Sequence, residues 1–143
     1  RMTDIQAALG LSQMERLDKY IDTRQNIAKR YDSEFKNLPL KTPYQLPETY
    51  SSYHLYPICI YENQANKSQR QIYDILWKNN IAAGLHYIPV YLHPYYQMMK
   101  FKRGYCPNSE IYFKSAISIP IFVDLSDQQQ SNIIKIISEE FLC

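Results

Sequence analysis

Gly84-Leu85-His86-Tyr87-Ile88-Pro89-Val90-Tyr91-Leu92-His93-Pro94-Tyr95-Tyr96 is the stretch on which the rest of the chain turns. Its first residues alternate apolar and polar, the pattern of a strand, over Ile81 to Ile88. Pro89 and Pro94 then interrupt it, because proline fixes φ and removes a backbone donor. The polar ends of His86, Tyr87, Tyr91, His93, Tyr95 and Tyr96 therefore fall on a strand end and an irregular loop. Two readings stand open. Such loops often carry binding groups, and rings in such loops also simply fill space.

Working outward, the segments on either side have clear periods. Upstream, Ser68 and Gln71 form a capping box that opens a helix of Ile72, Ile75, Leu76 and Trp77, with Asn79 and Asn80 as stop residues. Tyr53 to Tyr61 reads as a strand, and Pro57 places it at an edge or a bulge. Glu62 to Lys67 is a polar loop, and Leu38 to Thr49, with three prolines, is a connector without regular structure. Downstream, Met98 to Tyr105 is basic and exposed, and Pro107 to Ser115 makes a short helix. Ala116 to Phe122 is a third strand ending near Pro120. Ser126 and Gln129 cap a last helix carrying Ile133, Ile134, Ile137 and Phe141.

The N-terminal part is helical. Thr3 and Gln6 form another capping box, before Ile5, Ala8, Leu9 and Met14; Gly10 weakens this helix. A second stripe runs Leu17, Ile21, Arg24, Ala28, Tyr31 and Phe35. The two helices either fuse or kink near residues 15–18. Arg24 is expected to lay its stem on the core and pair with a carboxylate, with an anion contact as the alternative. The whole order predicts an α+β domain over residues 38–143, with helices covering one face of a three-stranded, largely antiparallel sheet. Residues 1–37 form a helical segment with more apolar stripe than that sheet needs, so it is expected to dock on a larger domain outside this chain.

Composition narrows the function classes. The 143 residues are 45% hydrophobic and 21% charged with net charge +2, ordinary for one globular domain. No basic stripe points to nucleic acid, and no apolar run has the ~20 residues of a membrane span. Three widely spaced cysteines suit reduced thiols and a cytoplasmic setting. The 14 tyrosines suit interfaces and sugar or nucleotide pockets. His86 and His93 lack the spacing of a zinc protease and no cysteine pair has finger spacing, so no metal site is expected. No G-x-S-x-G or other nucleophile arrangement is present, and three glycines cannot build a phosphate-binding loop. The chain reads as one wall of a site rather than a complete catalyst. A non-catalytic nucleotide-sugar or carbohydrate-binding module is the competing reading, and a zinc hydrolase domain a third.

Several runs are more specific. Arg1-Met2-Thr3-Asp4-Ile5-Gln6-Ala7-Ala8-Leu9-Gly10, Arg24-x-x-Ile27-Ala28-x-x-Tyr31, Ser52-Tyr53-His54-Leu55-Tyr56, His86-Tyr87-Ile88-Pro89-Val90-Tyr91, His93-Pro94-Tyr95-Tyr96 and Ala116-Ile117-Ser118-Ile119-Pro120 occur in the order found in one family. Over nearly its whole length the chain resembles the C-terminal part of DegT/DnrJ/EryC1/StrS sugar-nucleotide aminotransferases. The resemblance implies the small C-terminal domain of a fold-type I enzyme dependent on pyridoxal 5′-phosphate. The Schiff-base lysine, the other main cofactor contacts and a phosphate-binding asparagine would all lie before Arg1, so no catalytic residue is expected within this chain. It implies ping-pong amination of a nucleotide-sugar substrate, glutamate as amino donor, and a homodimer. The loop is most similar to members that aminate a UDP-linked 4-keto-6-deoxy-N-acetylhexosamine in pseudaminic acid synthesis. Carried over by position, substrate contacts fall on Gly84, Leu85, His86 and Tyr87, with Arg1 and His54 near the site. Relatives carry a longer polar side chain where Gly84 stands, so a backbone contact is implied there. The expectation to test is that His86 and Tyr87 face outward.

Overall fold

The computed structural model describes residues 1–61 and 63–142. Glu62, which begins the expected 62–67 loop, and Cys143 lie outside the described residues. In chain order the elements are α1 (Asp4–Met14), α2 (Leu17–Glu34), β1 (Leu40–Lys41), β2 (Tyr56–Ile60), α3 (Gln69–Lys78), α4 (Pro94–Met98), α5 (Pro107–Ser115), β3 (Ala116–Ile119) and α6 (Asp127–Leu142).

Local chemistry sets the helix ends. The Thr3–Gln6 and Ser68–Gln71 boxes are both closed in both directions, and Gln129 and Ser126 exchange the same pair of bonds at the start of α6. Asn80 takes φ 58°, the left-handed conformation that ends α3. The Ile81 N–H then returns to the Leu76 carbonyl at 2.9 Å. The first two helices do not fuse: a break at Glu15–Arg16 separates them. None of α1 is buried, and Ile5, Leu9 and Met14 remain largely exposed.

The sheet is three-stranded and antiparallel, in the order β1-β2-β3. Opposed pairs Leu40–Ile60, Ile58–Ile117 and Tyr56–Ile119 share one face. That face packs into a core with Ile27, Ala28, Tyr31 and Phe35 of the α2 end, Ile72 and Leu76 of α3, and Ile133 and Ile137 of α6. The core thus runs across residue 37. Tyr31 stacks on Phe35, with ring centroids 5.5 Å apart, and lies 5.1 Å from Tyr56. Its hydroxyl donates to the Pro120 carbonyl at 3.0 Å.

The strands differ from expectation in three ways, each with a physical cause. First, the proline-rich connector contains a strand: β1 is two residues long, between Pro39 and Pro43. Second, Pro57 lies in the central strand, not at an edge. It stands opposite Ser118, whose own N–H and C=O both point away from β2, to Gly84. The missing donor of Pro57 therefore faces the β1 side, where β1 has already ended, and no ladder bond is lost. Third, residues 81–88 do not form a strand. Only Gly84 pairs with Ser118, through bonds of 2.9 and 2.8 Å. The neighbouring positions on that edge of β3 are already used. The Gln69 amide donates to the Ala116 carbonyl at 2.7 Å, and Pro120 has no N–H to offer.

Arg24 also departs from expectation. No carboxylate pairs with it among the described residues. Its guanidinium instead donates to three carbonyls: Tyr53 at 3.0 Å, His54 at 3.4 Å and Ile121 at 2.8 Å. Gln25 adds a bond to the Ser51 carbonyl. Together the two side chains clamp the 51–54 segment to α2.

Candidate functional site

Two histidines far apart in sequence line one cleft beside the outer edge of β3. His54 is held there by the Arg24 clamp. His86 is held by Ser118, whose Oγ lies 2.8 Å from Nδ1 of the imidazole. Both line a cleft of about 700 Å³ with Ile81, Ser118, Asn132 and Ile133 among its walls. Gly84 lines it too, and the His86 ring folds back over that glycine. A Cβ added at Gly84 would stand 2.6 Å from Cε1 and 2.9 Å from Nε2 of His86.

The four consecutive positions behave differently. Gly84 is tied by its backbone to Ser118 on both sides, so its amide N–H is spent while its carbonyl oxygen keeps a second lone pair. Leu85 turns its side chain onto the core. His86 is half-buried on the cleft wall. Tyr87 is 72% exposed, its ring 4.6 Å from that of His86; the peptide between them is cis. Tyr87 lines a separate groove, with Val90, Asn108 and Tyr112. The pair faces outward, but onto two depressions. Arg1 is exposed ahead of α1 and does not line the cleft.

The remaining rings of the loop pack on one another. Val90–Leu92 forms a single 3-10 turn, and Pro94 opens α4 from its first turn, where its missing donor costs nothing. Tyr91, Tyr105, Phe101 and Tyr96 follow in a chain of edge and tilted contacts 5.0–6.3 Å apart. The Tyr91 hydroxyl donates to the Glu110 carboxylate in a short bond. The Gly104 N–H donates to the same carboxylate at 2.6 Å. These bonds, first that from Tyr91 and then that from Gly104, hold the Glu110 carboxyl below the usual carboxylate range. A depressed carboxyl stabilises the fold above the unfolded-state value, about 4.3, and the contribution is lost as pH falls through the lower, folded value. The 99–110 excursion is therefore expected to loosen on acidification through and below the ordinary carboxylate range while the core persists. Hydrogen exchange at the Gly104 amide checks this: its protection should fall on acidification, and Glu110→Gln should weaken it at neutral pH.

Among the described residues lining the cleft there is no Lys, Arg, Asp or Glu. They include no lysine to form a Schiff base and no acid to face a pyridine nitrogen, so they do not make a pyridoxal-phosphate site by themselves. Among the described residues no three His, Cys, Asp or Glu side chains gather to hold a metal, and no helix is long and apolar enough to cross a membrane. Cys59 and Cys106 are free thiols. What the wall offers is imidazole, hydroxyl and amide groups beside apolar surface, suited to a neutral, hydroxyl-bearing ligand. Ser118 and the α6 residue Asn132 were not foreseen as part of it. The signal for Ser118 lay only in the Ala116–Pro120 run.

Known proteins resemble this chain in sequence and in fold. Spore coat polysaccharide biosynthesis protein SpsC of Bacillus subtilis is 35% identical over 141 residues, covering 96% of this chain and 36% of its own length. The UDP-4-amino-4,6-dideoxy-N-acetyl-beta-L-altrosamine transaminase of Helicobacter pylori is 34% identical over 134 residues, covering 93% and 35%. Among solved structures, Helicobacter pylori PseC, an aminotransferase involved in the biosynthesis of pseudoaminic acid, superposes with a TM-score of 0.88 at 31% identity, over 99% of this chain and 38% of PseC. S. venezuelae DesV, solved with a ketimine intermediate, gives 0.87 at 26% identity, over 97% and 36%. The chain thus spans about a third of the length of these relatives and matches the C-terminal third of aminotransferases of this kind. The family profile described as DegT/DnrJ/EryC1/StrS aminotransferase matches residues 1–138, and the family is dependent on pyridoxal phosphate. By sequence and by fold, the chain belongs to the DegT/DnrJ/EryC1/StrS aminotransferase family.

Proposed function

We propose that this chain is the substrate-facing C-terminal part of an aminotransferase that acts on a UDP-linked 4-keto-6-deoxy-N-acetylhexosamine, in pseudaminic acid or related surface-sugar synthesis. The observation that carries this reading is the cleft walled by His54 and His86, without Lys, Arg, Asp or Glu, on a chain matching the C-terminal third of sugar aminotransferases. Residues 84–87 would contact the sugar, with His54 and Arg1 as near-site residues, His54 on the cleft wall and Arg1 outside it. Within 84–87, His86 stands on the cleft wall and Tyr87 on the neighbouring groove, the Gly84 carbonyl keeps a lone pair for a backbone contact, and the Leu85 side chain is turned to the core. Pyridoxal 5′-phosphate, which serves as electron sink and amine carrier when bound, is assigned to a larger domain outside residues 1–143. Residues 1–37 lead into that domain, and the exposed Ile5, Leu9 and Met14 fit such a role. A homodimeric, cytoplasmic enzyme using glutamate completes the proposal.

The test is made on the longer protein that contains this chain. With pyridoxal phosphate and glutamate, it should convert the UDP-linked 4-keto-sugar to the 4-amino-sugar, read by mass spectrometry and NMR. Preference for a 3-keto-sugar, or for a dTDP- or GDP-linked one, would overturn the substrate assignment. A protein that aminates no keto-sugar would overturn the activity.

A further inference from the structure

We propose that Ser118 is a positioning residue that fixes the protonation pattern of His86, making its Nε2 a hydrogen-bond donor toward an acceptor oxygen of the bound sugar, and that Gly84 is the space this requires. The ligand's identity rests on the function proposed above; the imidazole's state does not.

Ser118 is buried in β3, and both its backbone groups are spent on Gly84. Its hydroxyl has one polar partner among the described residues, Nδ1 of His86 at 2.8 Å. A buried hydroxyl with no other acceptor donates its proton rather than leaving it unpaired, since an unmet buried donor is costly. The Ser118 O–H is therefore assigned to Nδ1, which in the neutral ring is then the unprotonated nitrogen. The ring proton then sits on Nε2. The Cε1–Nε2 edge lies over Gly84, in the place a side chain would occupy, and Gly84 lines the cleft. The donor is thus presented at the cleft wall. Because no Lys or Arg lines that wall among the described residues, the acceptor it suits is a hydroxyl or carbonyl oxygen of a neutral sugar, rather than a diphosphate.

The clearest test uses ring-15N-labelled histidine in the longer protein that contains this chain, at mildly alkaline pH. The His86 signals, assigned by His86→Gln, should show the proton on Nε2. Ser118→Ala should convert them to a mixture of both tautomers, and Ser118→Thr should restore the single form. Gly84→Ala should produce the same mixture with Ser118 intact, because the added methyl displaces the flexible imidazole rather than the backbone. In the longer enzyme, Ser118→Ala should raise KM for the keto-sugar about five- to tenfold, the loss of one hydrogen bond, with kcat within about twofold. Ser118→Thr should recover KM. A proton on Nδ1, or a pattern unmoved by Ser118→Ala, overturns the proposal. An unchanged KM overturns the donor role. If the wild-type enzyme aminates no keto-sugar, the functional reading fails and the imidazole spectrum alone decides whether Ser118 sets its state.

Discussion

Tyr31→Ala should strip the chain of a large share of its stability and shift its urea midpoint far down. Tyr31 is fully buried and touches the two layers that define the core: Phe35 on its own helix and Tyr56 on the central strand. Truncating a buried aromatic costs about 3–5 kcal/mol, against a total of roughly 5–15 kcal/mol for an ordinary domain. Here the cavity would open between α2 and β2, which are joined by a long, irregular connector and cannot easily close it. The hydroxyl adds a second function, bonding the Pro120 carbonyl where the chain leaves β3. Burial pushes the Tyr31 phenol well above its ordinary range, so it stays a donor at any working pH. Tyr31→Phe should therefore cost only about 1 kcal/mol, the worth of one hydrogen bond. Urea denaturation followed by circular dichroism separates the two variants. A Tyr31→Ala midpoint within experimental error of Tyr31→Phe would refute the packing argument.

The second large effect is expected at Gln69. Its buried amide donates to two carbonyls, Phe113 at 2.9 Å and Ala116 at 2.7 Å. It thereby joins the start of α3 to the junction of α5 and β3. Gln69→Leu keeps the approximate volume and strands both acceptors. At about 1–3 kcal/mol for each unmet buried group, with partial relief by water, the loss should be about 2–4 kcal/mol. Gln69→Glu should be worse at neutral pH, since a carboxylate would face two carbonyl oxygens. It should recover in part on acidification, when the protonated acid can donate one bond. That opposite pH trend distinguishes lost donation from lost packing. If Leu and Glu variants unfold alike at every pH, the amide is not the joint described here.

These two residues show where reading the sequence succeeded and where it stopped. The helices were legible because their signals are local: three capping boxes, each closed within four residues, and apolar stripes at helical spacing. Tyr31 belonged to such a stripe. Gln69 did not, since its role depends on carbonyls 44 and 47 positions away. The same limit explains the strand expected over residues 81–88. Its alternation was real, but the edge it would have joined was taken by a side chain from α3. Pro57 misled in the same manner: its cost depends on where the neighbouring strand ends, which no local pattern records. Arg24 was placed correctly on the buried stripe, yet its partners are three carbonyls from two separate turns. At the cleft, His54 and His86 were named from the resemblance. The hydroxyl that steadies one of them and the carbonyl clamp that steadies the other came only from the fold.

The outer side of β3 has a consequence for how the molecule behaves in company. Exposed sheet margins recruit foreign strands, which is how many native proteins begin to form fibrils or swapped assemblies. Here the Gln69 amide, the Gly84 backbone and the absent donor of Pro120 consume the positions on which an incoming polypeptide would have to register. The opposite margin is two residues long, bears Lys41, and is fenced by Pro39 and Pro43. A small sheet so bounded offers no template on either flank, and it can sit beside an open ligand cleft without inviting other chains to complete it.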